Sequence, residues 1–278
     1  MTYDAIAPMP AEDANKYSRG KLVLIAGSAS YPGAAILAAR ASQRMGAGYT
    51  QVLTHKEVVA IVRMSSPSLV VQRLNGVESL VLPQAREGHP CAVCIGPGFE
   101  PDDESMWDVL VHVLKEARCP VLVDGGALAH LCSKKMRKRL AKRASQGLVT
   151  VLTPHGGEAA RLAKALKEDE ESPMQLAQAL ARAYHSIVVL KGPNTYISDG
   201  MQTSGMHEGT SALSKAGTGD VLAGMIAALL AQGIDPYDAA RAGATLHARA
   251  GVAAAASLTE IAVTAEDVVE AIPQALRQ

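Results

Sequence analysis

Aromatic residues are scarce: Phe, Trp and Tyr make up 3% of the 278 residues, with one Trp and one Phe. A protein that stacks single-stranded bases on its rings needs more of them, which argues against that class. Net charge is missing too. Lys and Arg number 27, Asp and Glu 27, so no global field draws the chain to nucleic acid or to an anionic membrane. No apolar run approaches the ~20 residues of a membrane span. The stretch 1–19 carries Asp4, Glu12 and Asp13 and no long apolar region. It does not read as a secretory signal, and a cytoplasmic protein is expected. The four cysteines are then expected to be reduced. Cys91 and Cys94 form a Cys-x-x-Cys inside an apolar run, with no second pair or spaced His to complete a zinc site. Buried structural thiols are expected there. The densest basic run, 134–143, reads as the solvated face of a helix, not as a nucleic-acid patch.

What is present is apolar mass in a repeating order. Hydrophobic residues are 48% and charged residues 19%, enough for a large core. Strands are expected at 22–26, 50–53, 92–95, 121–123, 148–152 and 187–190. Helices are expected at 33–45, 56–63, 102–117, 221–232, 237–256 and 265–276. Asp199-Gly200 marks a hairpin between 196–198 and 202–204. Runs such as Val121-Leu122-Val123 and Ile187-Val188-Val189-Leu190 are apolar throughout. Such strands are buried on both faces, as in an α/β fold with a mainly parallel central sheet covered by helices on both faces. Linkers, repeats and low-complexity stretches are missing, so the expectation is a single domain over 1–278 with 1–20 as an N-terminal extension.

Five strand ends carry polar or glycine-rich loops: 28–33, 96–98, 124–126, 153–158 and 191–195. Any one could be an ordinary turn, and the first could serve tight helix–strand packing. In a parallel sheet they share one edge, and together they predict a cleft there. The loop at 28–33 has no Gly-x-Gly-x-x-Gly fingerprint, and no Walker A sequence occurs anywhere.

The stretch 209–232 organises the rest. Gly217, Thr218 and Gly219 precede a helix with apolar residues at Val221, Leu222, Met225, Ile226, Leu229 and Leu230. Glycines before a helix N-terminus let backbone amides converge on an anion such as phosphate. Asp220 beside such a cradle has two readings. It is a good N-cap, or it takes the proton from a hydroxyl that attacks the phosphate held there.

In order, these loops resemble the ADP/ATP-dependent NAD(P)H-hydrate dehydratases of the ribokinase-like superfamily. The resemblance rests on Ala26-Gly27-Ser28 with Tyr31-Pro32-Gly33-Ala34-Ala35, on Gly46-Ala47-Gly48 and on Ile95-Gly96-Pro97-Gly98. It continues through Asp124-Gly125-Gly126-Ala127-Leu128, Thr153-Pro154-His155-x-Gly157-Glu158, Leu190-Lys191-Gly192 and Gly217-Thr218-Gly219-Asp220. Gly-Thr-Gly-Asp alone suggests the superfamily. The Pro-His-x-Gly-Glu and Gly-Pro-Gly blocks narrow it to the dehydratases.

The resemblance implies repair of the S epimer of hydrated NADH and NADPH. The ring hydroxyl is phosphorylated from ADP or ATP and phosphate is then lost. It implies Asp220 as catalytic base. Lys191, Gly192, Pro193, Asn194, Thr195 and Gly219 would contact the nucleotide. Ala34, Gly98, His155 and Asp220 would contact the hydrated dinucleotide. The amides of Gly217, Thr218 and Gly219 would form the anion hole, and Mg²⁺ would bridge the nucleotide phosphates. Glu158 stays open between a first-turn helix residue and a metal or water ligand. Family members are often tetrameric and often fused to an epimerase domain, for which the stretch before the first strand leaves no room. The epimerase is then a separate partner. Gly156 departs from the family, which usually has Pro there, and should loosen the His155 loop. The rivals are a vitamin-precursor or sugar kinase of the same superfamily, which would stop at the phosphorylated product, and a nucleotide-binding regulator without catalysis.

Overall fold

The computed structural model describes residues 9–78, 80–167 and 172–277. The first eight residues of the expected N-terminal extension lie outside them. The chain opens into β1 (Lys21–Ile25), α1 (Pro32–Arg44), β2 (Tyr49–Thr54), α2 (Val59–Ser65) and β3 (Val70–Arg73). β4 (Cys91–Ile95), α3 (Glu104–Glu116), β5 (Val121–Val123), α4 (Gly126–His130), α5 (Lys134–Ser145) and β6 (Thr150–Leu152) follow. Then come α6 (Gly156–Leu166), α7 (Pro173–Tyr184), β7 (Ile187–Leu190), β8 (Thr195–Ser198) and β9 (Thr203–Met206). Three helices close the chain: α8 (Thr218–Ala231), α9 (Pro236–Leu258) and α10 (Ala265–Ala275).

The strands form one sheet in the order β3-β2-β1-β4-β5-β6-β7-β8-β9. All pairings from β3 to β7 are parallel, and the β8–β9 hairpin is antiparallel. The mainly parallel sheet expected from the apolar runs is therefore present. Alternation along β1 divides the core. Leu22 and Leu24 face a layer built from α1, α8, α9 and α10, while Val23 and Ile25 face one built from α3 to α7. Helix α8 is buried from Val221 to Ala231. It crosses α1 so closely that a Cβ on Gly224 would lie 2.2 Å from the Ala38 carbonyl oxygen.

Chain order reverses between β1 and β4, since β2 and β3 lie on one side and β5 to β7 on the other. Ligands of open α/β sheets bind outside the carboxyl ends of the strands at such a switch point.

Three differences from the sequence reading have physical causes. Strand β3 went unread because only Val71 of its four residues is buried, so this edge strand has no periodic pattern. Helices α6 and α7 also went unread, being Ala-rich and separated by a charged connection. Arg143, assigned to a solvated basic face, is 2% exposed, because α5 turns Met136, Leu140 and Arg143 inward. Cys91 and Cys94 are buried free thiols in β4, as expected.

Candidate active site

Gly27 donates its N–H to the Pro97 carbonyl at 2.8 Å, joining the loops after β1 and β4. Gly98 has φ +72, and a Cβ there would meet the Ala34 Cβ at 2.6 Å and the Tyr31 carbonyl at 2.9 Å. Ala34 and Gly98 thus stand together at the switch point. Next along the edge, Asp124 follows β5 with a side chain 3% exposed. Its Oδ1 accepts from Thr153 Oγ1 at 2.6 Å and from Lys191 Nζ at 3.0 Å. These three residues end β5, β6 and β7, so the pairing depends on sheet order rather than on sequence proximity. Asp124 was read only as part of a loop; a polar residue closing a fully apolar strand was the available signal.

His155 and Lys191 are bridged through their backbones, and the Lys191 N–H donates to the Pro154 carbonyl at 2.9 Å. Glu158 Oε2 accepts from the His155 N–H at 2.8 Å, while His155 Nδ1 accepts from the Gly157 N–H at 3.1 Å. This capping box starts α6 and gives Glu158 a structural task whatever else it binds. The His155 ring itself is 61% exposed.

The N-cap of α8 is Gly217, with φ +93 and no side-chain cap. Asp220 is therefore the third helical residue, and the N-cap reading of Asp220 falls. Among the described residues its side chain takes part in no hydrogen bond. A Cβ at Gly217 would collide with Leu37 and Ala265, and one at Gly219 would sit 3.3 Å from Lys191 Nζ. The lysine ammonium thus spans from Asp124 to the start of α8. The expected anion cradle needs a correction at Thr218. Its hydroxyl donates to the Leu213 and Lys215 carbonyls at 2.7 and 2.9 Å, and its N–H to Lys215 at 3.4 Å. The amides of Gly217 and Gly219 remain for an anion.

Electrostatically, the cluster holds one cation among three carboxylates. Burial, then Asp124 and Glu158, push Asp220 up to about 7, against the pull of Lys191. Burial also raises Glu158, with Lys191 opposing and Asp124 adding to the rise. Burial disfavours the Lys191 charge, but Asp124, Glu158 and Asp220 outweigh it and the lysine moves up. A carboxylate poised near neutrality is suited to taking a proton.

Beside the cluster lies a cleft of about 700 Å³ lined by His155, Lys191, Gly192, Pro193, Thr195 and Gly219. Met206, Leu213, Leu222, Ala244 and His247 line it too, as do the polar His207, Glu208, Thr210, Ser211, Ser214 and Lys215. Of the expected nucleotide contacts, Asn194 is exposed and does not line it. Ala34 and Gly98 lie outside this cleft, on the switch-point side. His247 was not read from the sequence, where it is one polar residue in an Ala-rich helix. Among the described residues no group of three His, Cys, Asp or Glu side chains could hold a metal, and no helix is long and apolar enough to cross a membrane.

Comparison with known proteins adds a second line. A family model described as NAD(P)H-hydrate dehydratase matches residues 22–274. The chain is 33% identical over 275 residues to the ADP-dependent (S)-NAD(P)H-hydrate dehydratase of Xanthomonas campestris, covering 96% of this chain and 91% of that one. Bifunctional NAD(P)H-hydrate repair enzymes also match. That of Thermofilum pendens is 31% identical over 97% of this chain, which spans about half of its length, 52%. Among solved structures, the ADP/ATP-dependent NAD(P)H-hydrate dehydratase of Bacillus subtilis, co-crystallized with ATP/Mg²⁺, superposes with a TM-score of 0.84 at 28% identity, covering 99% of this chain and 96% of that one. A ribokinase-like superfamily protein of Enterococcus faecalis shares the fold, with a TM-score of 0.76 at 23% identity over 100% of this chain and 94% of its own.

Proposed function

Since the chain belongs to the NAD(P)H-hydrate dehydratase family, we propose that it uses ADP or ATP to return the S epimer of hydrated NADH or NADPH to the reduced dinucleotide. The observation that carries the mechanism is Asp220: half-buried, without a hydrogen bond among the described residues, raised to about 7, and set in the first turn of the helix whose Gly219 lines the cleft.

The ring hydroxyl is a poor leaving group as hydroxide. Asp220 takes its proton as the oxygen attacks the terminal phosphoryl group, and the bond from phosphorus to the departing nucleotide breaks. The amides of Gly217 and Gly219 stabilise the charge on the transferred group. The ring nitrogen's lone pair then expels phosphate, and loss of a proton from the neighbouring ring carbon restores the double bond. Ala34 and Gly98 hold the dinucleotide on the switch-point side, and His155 reaches it from the cleft that it helps to line. Lys191, Gly192, Pro193 and Thr195 hold the nucleotide in the cleft.

The donor set fits magnesium held mostly by phosphate oxygens and water, as this ion usually is at phosphate sites, with Glu158, whose Oε2 already caps α6, as the carboxylate that would reach it. When bound it would neutralise phosphate charge. We further propose a single catalytic domain over 1–278 in a cytoplasmic homotetramer, served by a separate epimerase; the bifunctional relatives support the last point.

The test is recovery of dihydronicotinamide absorbance from hydrated NADH, with ADP, ATP, no nucleotide, and with or without Mg²⁺. Nucleotide-dependent recovery is expected, and equal turnover without nucleotide defeats the phosphorylation route. Accumulation of a stable phosphorylated product would instead favour the kinase reading.

A further inference from the structure

Helix α9 passes the cleft with a face of small residues, including Ala240, Gly243, Ala244 and Gly251. His247 interrupts that face. It is 8% exposed, lines the cleft, and its Nε2 is buried with no hydrogen-bond partner among the described residues. Buried polar atoms are nearly always paired, so a bare one on a residue that lines a cavity marks a place where a ligand can complete the bond.

The kind of ligand atom follows from the ring's state. Burial drives the imidazole to its neutral form, down to about 4, although the Thr218 backbone hydrogen-bonds the ring and favours a proton there. A neutral ring with its proton held on the Thr218 side presents a lone pair at Nε2. A phosphate oxygen offers that lone pair nothing; an N–H or O–H does. The cleft that it lines carries the apolar Met206, Leu213, Leu222 and Ala244 together with polar Glu208, Thr210, Ser211 and Ser214, and Lys191 lies near enough to oppose a charge on the ring. A nucleoside matches this part of the cleft, with a flat apolar face and hydrogen-bond donors at its edge.

We infer that His247 reads the nucleoside: its Nε2 accepts a hydrogen bond from the adenine amino group or a ribose hydroxyl of the bound nucleotide, while the apolar walls hold the base. The assignment rests on the nucleotide-dependent reading given above.

Calorimetry on the intact protein separates the possibilities, with ADP, inosine diphosphate, the 2′- and 3′-deoxy forms of ADP, and pyrophosphate as probes. His247→Leu should bind ADP about 5–50-fold more weakly, the range for leaving a buried donor unpaired, with pyrophosphate binding unchanged. His247→Gln, which keeps an acceptor, should recover part of the loss. The probe that lacks the accepted donor should already bind the wild-type protein weakly and lose nothing further in His247→Leu. Inosine diphosphate behaving so assigns the amino group; a deoxy form behaving so assigns a hydroxyl. Equal affinity of the wild-type protein for all four nucleotides overturns the assignment without any variant. So does an unchanged ADP affinity in His247→Leu, or an equal loss for pyrophosphate. A wild-type protein that binds ADP but does not restore NADH refutes the dehydratase reading alone, and one that binds no adenine nucleotide refutes both.

Discussion

Strands β5 and β6 have a buried charged centre at each end, and the two are built on opposite terms. At their amino ends lies Arg143. Its Nε donates to Thr150 Oγ1 at 3.3 Å, Nη1 to the Ala117 carbonyl at 2.8 Å and Nη2 to the Cys119 carbonyl at 3.0 Å. Longer bonds reach the Leu114 and Val149 carbonyls. Among the described residues no carboxylate takes part; five neutral acceptors satisfy the guanidinium, and burial lowers it only to about 10. At the carboxyl ends, Lys191 faces Asp124, Glu158 and Asp220, and among the described residues the half-buried Asp220 side chain takes part in no hydrogen bond. A buried charge that is fully solvated by protein dipoles fixes a structure. One left short of partners keeps its proton available, at a cost in stability that function retains.

The largest effect should come from Asp220→Asn. Turnover should fall ~10²–10⁴-fold, the range for removing a general base. The sign of the stability change separates the two centres. In the folded protein Asp220 titrates at about 7 against an ordinary 3.8, so its contribution to stability is fully present below the lower value and lost as pH rises to the upper one. Asn cannot ionise. The variant should match the wild type near pH 4 and exceed it by a few kcal/mol at pH 8, as urea unfolding at both pH values would show. Turnover of the wild-type protein should rise with pH through about 7. If Asp220→Asn keeps more than about a tenth of that turnover, the site has another base.

Arg143→Met should do the reverse. It strands several carbonyls and should destabilise by about 3 kcal/mol, with turnover per folded molecule unchanged. A fall in turnover at full folding would show that the two ends of the strands are coupled. Lys191→Met comes next. It removes the shared cation and should weaken nucleotide binding by about 10–100-fold, as for loss of a charged hydrogen bond. An unchanged affinity by calorimetry would remove Lys191 from the phosphate end of the cleft.

The sequence displayed the edge but not the pairings along it. Glycine and proline at strand ends announce turns, and continuous apolar runs announce a buried parallel sheet, so five loops along one sheet edge could be read, although only those of His155 and of Lys191 to Thr195 line the cleft. Asp124, Thr153 and Lys191 come from three separate segments and meet only through strand order. The role of Asp220 turned on where α8 begins. Expected from Val221, the helix starts at Thr218, which makes Gly217 the cap and frees the carboxylate. Arg143 was hidden in a basic run, where composition says solvent and only the rotation of α5 says core.

The smallest prediction concerns Gly156, where the resemblance drawn from the sequence leads one to expect proline. Gly156 is the first residue of α6, a position that suits proline because the N–H there has no helical partner. A Cβ on it would meet nothing within 4 Å. His155 before it has φ −83 and ψ 171, extended as a residue preceding proline must be. Gly156→Pro should therefore stabilise the protein by about 0.4–1 kcal/mol, mainly by restricting the unfolded chain. The capping box of His155 and Glu158 should survive, since neither of its bonds uses the Gly156 N–H. Turnover decides what the glycine does for the charge cluster at the carboxyl ends of the strands. A more stable variant with normal turnover shows that the loop needs no freedom beside the charge cluster. A more stable variant with slower turnover shows that His155 moves during the cycle. A less stable variant contradicts the first-turn geometry described for Gly156.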